Sequence, residues 1–554
     1  MELTGAQVLV KTLINQGIDT IFGYPGGAVL NIYDALYENK DKINHILTCH
    51  EQAASHAADG YARATGKIGV CLSTSGPGAT NLVTGIATAY LDSVPILAIT
   101  GNVATNLLGK DSFQEVNITD ITKSITKRNY IVKDINKLQE TIEEAIHIAQ
   151  EGRPGPVLID IPKDITAQKV EFKDRGKVWY TENEDIDTNN LKKVVDIINK
   201  SKKVFIYAGG GVKVSGASEE LRNFAEKIGA PVATSLMAMD VIDNTHPLYT
   251  GMIGMHGTKA SNLAATKCDL LIAVGARFSD RVIGKNEHIK NAKVIHIDID
   301  EKEIDKNIKT YEHIVGDAKV VLKKILNLVD EKKNQSWINE IEELKEPDKL
   351  DDKQTLTPEY LFEKLNKYRD DLVITTEVGQ HQMWAAQKFS FKTPRTLLTS
   401  GGLGTMGFGL GAAMGAQIGT KEKRVINIAG DGSFAMNNNE LATLVSNKIP
   451  VIIIVVNNNV LGMVRQWQTL FYGGRYSHTT LNRKTDFVKL GEAFGAKSYR
   501  VTSKEQLEPV LKEAMALRKP VLIECVIDQD DKVWPMVAPG GAIAKAFDED
   551  DLTK

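Results

Sequence analysis

The sequence predicts an α/β protein of three doubly wound parallel-sheet units in series, on three observations. Short buried-type runs rich in Val, Ile, Leu and Ala alternate with helical patterns, as expected for parallel strands covered by helices on both faces. At 554 residues the chain has the length of about three domains. Two polar, charged stretches, 165–190 and 331–355, read as linkers and divide it into units at 1–164, 191–330 and 356–554.

In the first unit a helix is expected over 6–16, strands over 20–23 and 43–48, a helix over 53–65 and a strand over 68–73. The turn Thr74-Ser75-Gly76-Pro77-Gly78 leads into a helix over 79–91, and strands follow at 95–100 and 157–161, the last closing the sheet. Glu51 stands where a strand hands over to a helix, followed by Ala53, Ala54, Ala57 and Ala58, which permit close approach. A helix N-terminus favours a carboxylate there on electrostatic grounds alone. A chemical role for it requires a neighbour that needs its proton.

The middle unit opens with a strand over 204–208 and the turn Gly209-Gly210-Gly211, before a helix starting near Ser218. Such a turn suits a phosphate or nucleotide. Val214 occupies the third glycine position of the dinucleotide fingerprint, so alone the signal is weak. Strands at 270–274 and 294–299 lead to Gly275-Ala276-Arg277-Phe278 and to the acids Asp298 and Asp300.

The third unit opens with a helix from Pro358 and a strand over 372–376. Its strand 425–429 runs into Gly430-Asp431-Gly432-Ser433, a helix spans 440–446, and a strand over 451–456 runs into Asn457-Asn458-Asn459. This βαβ unit places both polar loops at the C-terminal edge of a parallel sheet, where α/β proteins bind ligands. A hard cation bridging two phosphates needs oxygen ligands: the Asp431 carboxylate, the Asn458 side-chain carbonyl and a backbone carbonyl near Val460. Gly430 and Gly432 let backbone N–H groups approach a diphosphate. Either loop alone reads as a turn. Their spacing, with residues 433–456 between Gly432 and Asn457, makes the pair specific. After a strand over 520–527, Trp534-Pro535-Met536 and Pro539-Gly540-Gly541 are suited to fold over a site as a flap. The first and third units share one coarse layout, which suggests duplication.

Composition is that of an ordinary soluble globular protein, 42% hydrophobic and 25% charged. A formal charge of -3 gives no reason to expect nucleic acid or an anionic membrane. Cys49, Cys71, Cys268 and Cys525 are scattered, without metal-ligand spacing, and fit a reducing cytoplasm. Neither a signal peptide nor a membrane-spanning run appears, so a cytoplasmic location is expected.

A series of distinct motifs runs along nearly the whole chain. The first unit holds Gly23-Tyr24-Pro25-Gly26-Gly27-Ala28, His50-Glu51-Gln52, the turn continuing through Ala79-Thr80-Asn81, Phe113-Gln114-Glu115 and Arg153-Pro154-Gly155-Pro156-Val157. The middle unit holds Gly254-Met255-His256-Gly257 and Gly275-Ala276-Arg277-Phe278. The third holds Val378-Gly379-Gln380-His381-Gln382-Met383-Trp384, Ser400-Gly401-Gly402-Leu403-Gly404-Thr405-Met406-Gly407 and Gly462-Met463-Val464-Arg465-Gln466-Trp467. With the paired motif at 430–458, the chain resembles the thiamine diphosphate (ThDP)-dependent decarboxylase and carboligase superfamily, with pyrimidine, middle and diphosphate domains in that order. Within it the likeness is strongest to the catalytic (large) subunits of biosynthetic acetohydroxyacid synthases, also called acetolactate synthases.

The resemblance implies a role for each matching residue. Glu51 would donate to N1′ of the aminopyrimidine, and Phe113, Gln114 and Lys163 would line the substrate's approach. The Gly404 carbonyl would receive the 4′-amino group, and Met406 would hold the cofactor bent. Gln380 and His381 would contact the diphosphate, with Mg²⁺ on Asp431, Asn458 and Val460. Further ThDP contacts would come from Pro25, Gly26, Asn81, Val378, Gly379, Gly430, Gly432, Ser433, Leu461, Gly462 and Met463. A redox-idle FAD would be lined by Arg153, Gly209, Gly210, Gly211, Ser235, Leu236, Met255, His256, Gly257, Gly275, Ala276, Arg277, Arg281, Asp298 and Asp317. Arg281, Trp467 and Met255 match positions that select the second substrate: a guanidinium can pair with its carboxylate, and an indole can pack on the extra methyl of 2-ketobutyrate.

The implied reaction decarboxylates pyruvate and transfers its two-carbon unit to a second pyruvate or to 2-ketobutyrate, in branched-chain amino-acid biosynthesis. Each active site is expected across a homodimer or a larger assembly, and a regulatory small subunit is a candidate partner. A pyruvate oxidase-type enzyme shares the folds and cofactors but uses its flavin, and an inactive ThDP-fold binding protein would have no need of Glu51, Gln114, Lys163, Asp431 and Asn458 together. Three places depart from the family pattern: Ser279 for an acid, Gly411 for a proline, and the run Met237-Ala238-Met239-Asp240.

Overall fold

Three six-stranded sheets, every strand pair in them parallel, organise the computed structural model, which describes residues 1–178, 186–283, 292–345 and 353–552. The strands in chain order are β1 (Glu2–Thr4), β2 (Thr20–Gly23), β3 (Asn44–Leu47), β4 (Gly69–Ser73), β5 (Ile96–Asn102), β6 (Arg128–Ile131), β7 (Val157–Pro162) and β8 (Lys169–Glu171). The middle unit adds β9 (Val204–Ala208), β10 (Val232–Thr234), β11 (Tyr249–Met252), β12 (Leu270–Val274), β13 (Lys293–Asp298) and β14 (Glu312–Val315). The third adds β15 (Leu372–Thr376), β16 (Leu397–Leu398), β17 (Arg424–Gly430), β18 (Ile452–Asn457), β19 (Lys497–Val501) and β20 (Val521–Val526).

The first sheet runs β3-β2-β4-β5-β7-β6 and the third β16-β15-β17-β18-β20-β19, the same order when the strands of each sheet are counted along the chain. The middle sheet runs β11-β10-β9-β12-β13-β14, the dinucleotide-fold order. The central strands are legible because they are buried throughout, β9 and β12 at every residue. The sequence expectation fails at the edge: β7 lies inside the first sheet, and the half-exposed β6, without an apolar run, closes it. The helix expected over 79–91 is two helices, Pro77–Asn81 and Val83–Asp92.

Part of the stretch expected as the first linker is ordered, for β8 pairs antiparallel with β1; its residues 179–185 lie outside the described residues. In the second, the helix Gln335–Glu342 buries Trp337, whose Nε1 donates to the Val204 carbonyl at 2.9 Å; residues 346–352 lie outside the described residues. Among the described residues no helix is long and apolar enough to cross a membrane.

The first and third units meet where helix Glu51–Thr65 crosses helix Phe408–Gly419. Small residues set that approach: a Cβ on Gly60 would lie 2.2 Å from the Ala412 carbonyl oxygen, and one on Gly415 would lie 1.8 Å from that of Ala57. Gly411 belongs to the same seam, since a Cβ there would lie 3.0 Å from the Ala53 carbonyl oxygen.

Six charged side chains hold all three units together at one junction. Arg63 pairs with Asp59 and, at 2.9 Å, with Asp92, and donates to the Thr399 carbonyl at 2.8 Å. Lys213 pairs with Asp240 at 2.6 Å, and Asp240 accepts the backbone N–H groups of Thr396 (2.9 Å) and Leu397 (3.0 Å). Arg395 donates to the carbonyls of Arg63 (3.0 Å) and Lys213 (3.4 Å). Part of the atypical run at 237–240 is thereby explained, as Asp240 is a fully buried tie between the middle and third units.

Candidate active site

The turns that follow the strands place nearly every candidate residue at the C-terminal edges of the three sheets. In the first, Pro25 and Gly26 follow β2, Glu51 follows β3, Asn81 follows β4, Phe113 and Gln114 lie beyond β5, and Lys163 follows β7. In the third, Val378 to His381 follow β15, Gly404 and Met406 follow β16, Gly430 to Ser433 end β17, and Asn458 to Met463 follow β18. The exception is Arg153, which precedes β7 and reaches across to the middle unit.

A cleft of ≈ 480 Å³, open to solvent, lies over the ends of β15, β17 and β18. All the third-unit residues named for ThDP and its cation line it except Gly404, and Trp384, Val456 and Val464 complete its wall. The motif is not the loop expected from the sequence: β17 runs through Gly430 and Asp431 begins the helix Asp431–Asn437. Burial pushes the Asp431 carboxyl up to about 6. Asn458 accepts from the Val460 N–H at 3.2 Å and donates to Gln380 Oε1 at 3.3 Å. The strip at 479–481, unremarked in the sequence, pins this loop through Leu461 N to the Thr479 carbonyl and Leu481 N to the Asn459 carbonyl, both 2.8 Å. His381 is buried and burial lowers its imidazole to about 3; its Nε2 has no partner. An orphaned nitrogen, a buried carboxylate and backbone N–H groups at a helix start suit a diphosphate with its divalent cation.

Glu377, missed in the sequence, lies beneath this cleft, fully buried. It accepts from Gly407 N (2.6 Å) and Leu410 N (3.1 Å), and burial raises its carboxyl to about 7. It thus caps the helix Phe408–Gly419 and ties down the strand-end segment that carries Met406. An acid ending a buried-type strand was the available signal.

The first sheet gathers a second group. Glu51 opens its helix, and Asn81 Nδ2 donates to Glu51 Oε2 at 2.9 Å. Gln114 has a positive φ of 59° and its loop lies against Gly76, while Phe113 is 88% exposed. Neither Glu51 nor any other first-unit residue lines the cleft over the third sheet.

Along the middle sheet the candidate FAD residues follow strand after strand. Gly209 to Gly211 follow β9, Ser235 and Leu236 follow β10, and Met255 to Gly257 follow β11. Gly275 to Arg277 follow β12, Asp298 ends β13 and Asp317 follows β14. Six strands about 4.8 Å apart make an edge roughly 24 Å long, enough for an extended dinucleotide. At its switch point a Cβ on Gly211 would lie 2.7 Å from Gly275 Cα, so the two loops touch backbone to backbone. His256 is half-buried, with its Nδ1 enclosed and unpartnered, and desolvation lowers its imidazole to about 4. Three of the candidate side chains are engaged within the protein: Arg153 with Ser93 (2.8 Å), Glu303 (2.9 Å) and Asp300 (3.2 Å), Asp298 with the Asp300 N–H (3.0 Å), and Asp317 with the N–H groups of Lys319 (2.9 Å) and Val320 (3.1 Å).

The middle and third units meet again at Arg281. Its guanidinium lies 6.0 Å from the centre of the Trp467 ring and 3.5 Å from Met255 Sδ. Trp467 sits one helical turn after Met463, a residue of the cleft wall, on helix Gly462–Phe471. The C-terminal segment straps this region. Gln466 accepts from Val533 N at 2.9 Å, Val537 N donates to the Met255 carbonyl at 2.8 Å, and Ile543 is buried in the middle unit's core.

Three stretches match families described as thiamine pyrophosphate enzyme: 3–121 the N-terminal TPP binding domain, 191–325 the central domain and 377–525 the C-terminal TPP binding domain. The chain is 48% identical to the probable acetolactate synthase large subunit of Methanocaldococcus jannaschii, over 98% of this chain and 94% of that one. It is 45% identical to the acetolactate synthase large subunit of Corynebacterium glutamicum (98% and 89% covered) and 44% to that of Porphyra purpurea (98% and 95%).

Proposed function

The chain belongs to the thiamine pyrophosphate enzyme family, and we propose that it joins pyruvate, with loss of CO₂, to a second 2-keto acid, the acetolactate synthase reaction. The observation that carries the reading is the contact of Arg281 with Trp467 one turn from the cleft. A guanidinium beside an indole face offers a carboxylate anchor and an apolar wall to an acceptor keto acid.

Bound ThDP would supply the electron sink that lets a 2-keto acid lose CO₂. Asp431, Asn458 and the Val460 carbonyl would hold Mg²⁺, and the neutral His381 imidazole would face the diphosphate. Glu51, oriented by Asn81, would hold a proton at the aminopyrimidine. Gln114, Lys163 and Phe113 would border the donor, and Arg281 would anchor the acceptor. The C-terminal strap would exclude water, which competes with the acceptor. FAD would lie along the middle edge without redox work.

The site needs two copies of the chain on this reading, since Glu51 and the cleft belong to separate edges and the cleft wall holds nothing from the first unit. Exposed Phe113, Tyr24 and Leu403 suit such an interface. A regulatory small subunit and a cytoplasmic location, consistent with free thiols, belong to the same proposal. The test is purified protein with ThDP, Mg²⁺ and FAD, given pyruvate with and without 2-ketobutyrate. Formation of 2-acetolactate and 2-aceto-2-hydroxybutyrate is expected. Flavin reduction by pyruvate at turnover rate, without either product, would overturn the reading in favour of an oxidase.

A further inference from the structure

Glu440 is fully buried in the third unit, yet its partners lie mostly in the first. Its carboxylate accepts the N–H of Cys49 at 3.1 Å on both oxygens, the N–H of His50 at 3.0 Å, and the Thr443 hydroxyl at 2.7 Å. His50 is the N-cap of helix Glu51–Thr65, and Glu51 is that helix's first residue. The anchored N–H groups are therefore one and two residues from Glu51, whose Cα lies about 3.8 Å from that of His50. On its other side, Glu440 is joined to the cation motif by helix Asp431–Asn437 and the 3₁₀ turn Asn438–Glu440.

We infer that Glu440 is a positioning residue for Glu51, tying the helix that carries it to the cation motif of the same chain. The inference rests on the ThDP reading above. If Glu51 serves the cofactor held by the second copy, each copy's cation motif then steadies the proton donor offered to the other. A carboxylate suits the task, because it presents acceptors on both oxygens to donors converging from the first unit. An amide in its place turns an N–H₂ toward backbone N–H groups, and Asp withdraws the acceptors by one methylene.

The test uses Glu440→Gln and Glu440→Asp in the full-length protein, with Glu51→Gln alongside. In cofactor-free protein, amide hydrogen exchange at residues 49 and 50 should speed up about tenfold or more in Glu440→Gln, while residues 55–64 keep their protection. With Mg²⁺ and saturating ThDP, C2 hydrogen exchange per bound cofactor should fall by about 10- to 100-fold, the range for a misplacement of about 1 Å. ThDP affinity should stay within about threefold, since the diphosphate anchor is elsewhere. Glu440→Asp should fall between Glu440→Gln and the natural protein, and it carries the test if the amide does not fold. Unchanged protection at 49 and 50 removes the clamp and with it the inference. So does a lowered melting temperature with natural C2 exchange, which marks a merely structural carboxylate. Natural C2 exchange in Glu51→Gln would instead bring down the role given to Glu51. A deficit in Glu51→Gln with none in the Glu440 variants overturns only the present inference.

Discussion

In both the first and third sheets the second strand flanks the first, and chain direction across the sheet reverses between the first and third strands. Each thereby opens a crevice at its C-terminal edge. What the turns put there differs. Beyond β17 and β18 stand Asp431, Asn458 and N–H groups at a helix start, around a cleft. Beyond β3 and β4 stand Glu51 and Asn81, hydrogen-bonded to each other, with exposed Phe113 nearby. One edge suits anions with their cation, the other the transfer of a proton. Topology decides where a ligand can sit, and a few turn residues decide what kind of ligand group each edge suits.

The largest expected effect removes the third edge's defining group. Asp431→Ala should abolish Mg²⁺-dependent ThDP retention, measured by titration calorimetry on chelator-treated protein. Unchanged affinity would put the cation elsewhere and erase the contrast between the edges. Glu51→Gln should do the opposite, lowering turnover by about 100-fold or more with ThDP affinity nearly intact. Steady-state kinetics beside the same titration separates the two outcomes.

The seam between the units comes next. Gly415→Ala forces a Cβ onto the Ala57 carbonyl and should cost about 1–3 kcal/mol, read as a lower melting temperature. An unshifted melting temperature would mean that the two helices separate freely. The smallest effect concerns the acceptor. Trp467→Leu should lower the ratio of 2-aceto-2-hydroxybutyrate to 2-acetolactate by roughly tenfold, with both keto acids in competition, since one methylene is worth about 1–3 kcal/mol. Equal loss of both products would make Trp467 structural.

Much of this was legible in the sequence because buried parallel strands are short apolar runs and their turns carry Gly, Asp and Asn at telling positions. The edge strand β6, with one exposed and three half-buried residues, has no such run and went unseen. The start of helix Asp431–Asn437 was hidden because Gly-Asp-Gly-Ser reads as a turn until its backbone direction is known. Glu440 and Asp240 were opaque for another reason. Glu440 reaches Cys49 and His50 some 390 positions away, and Asp240 reaches Thr396 and Leu397 more than 150 away. No local pattern encodes such partners.

The six-charge junction bears on how this chain could be taken apart or recombined. Its first-unit share, Asp59, Arg63 and Asp92, is acidic by one charge; its middle share, Lys213 and Asp240, is balanced; its third-unit share, Arg395, is basic. A fragment cut from either end would therefore expose a face of uncompensated charge that the whole chain keeps largely covered. A middle unit borrowed from another protein fits this seam if it brings its own base and acid at the positions of Lys213 and Asp240. One that brings only half of that pair leaves a lone buried charge, at about 3–5 kcal/mol. Chimeras at this boundary should accordingly sort by whether both members of the pair are transferred together.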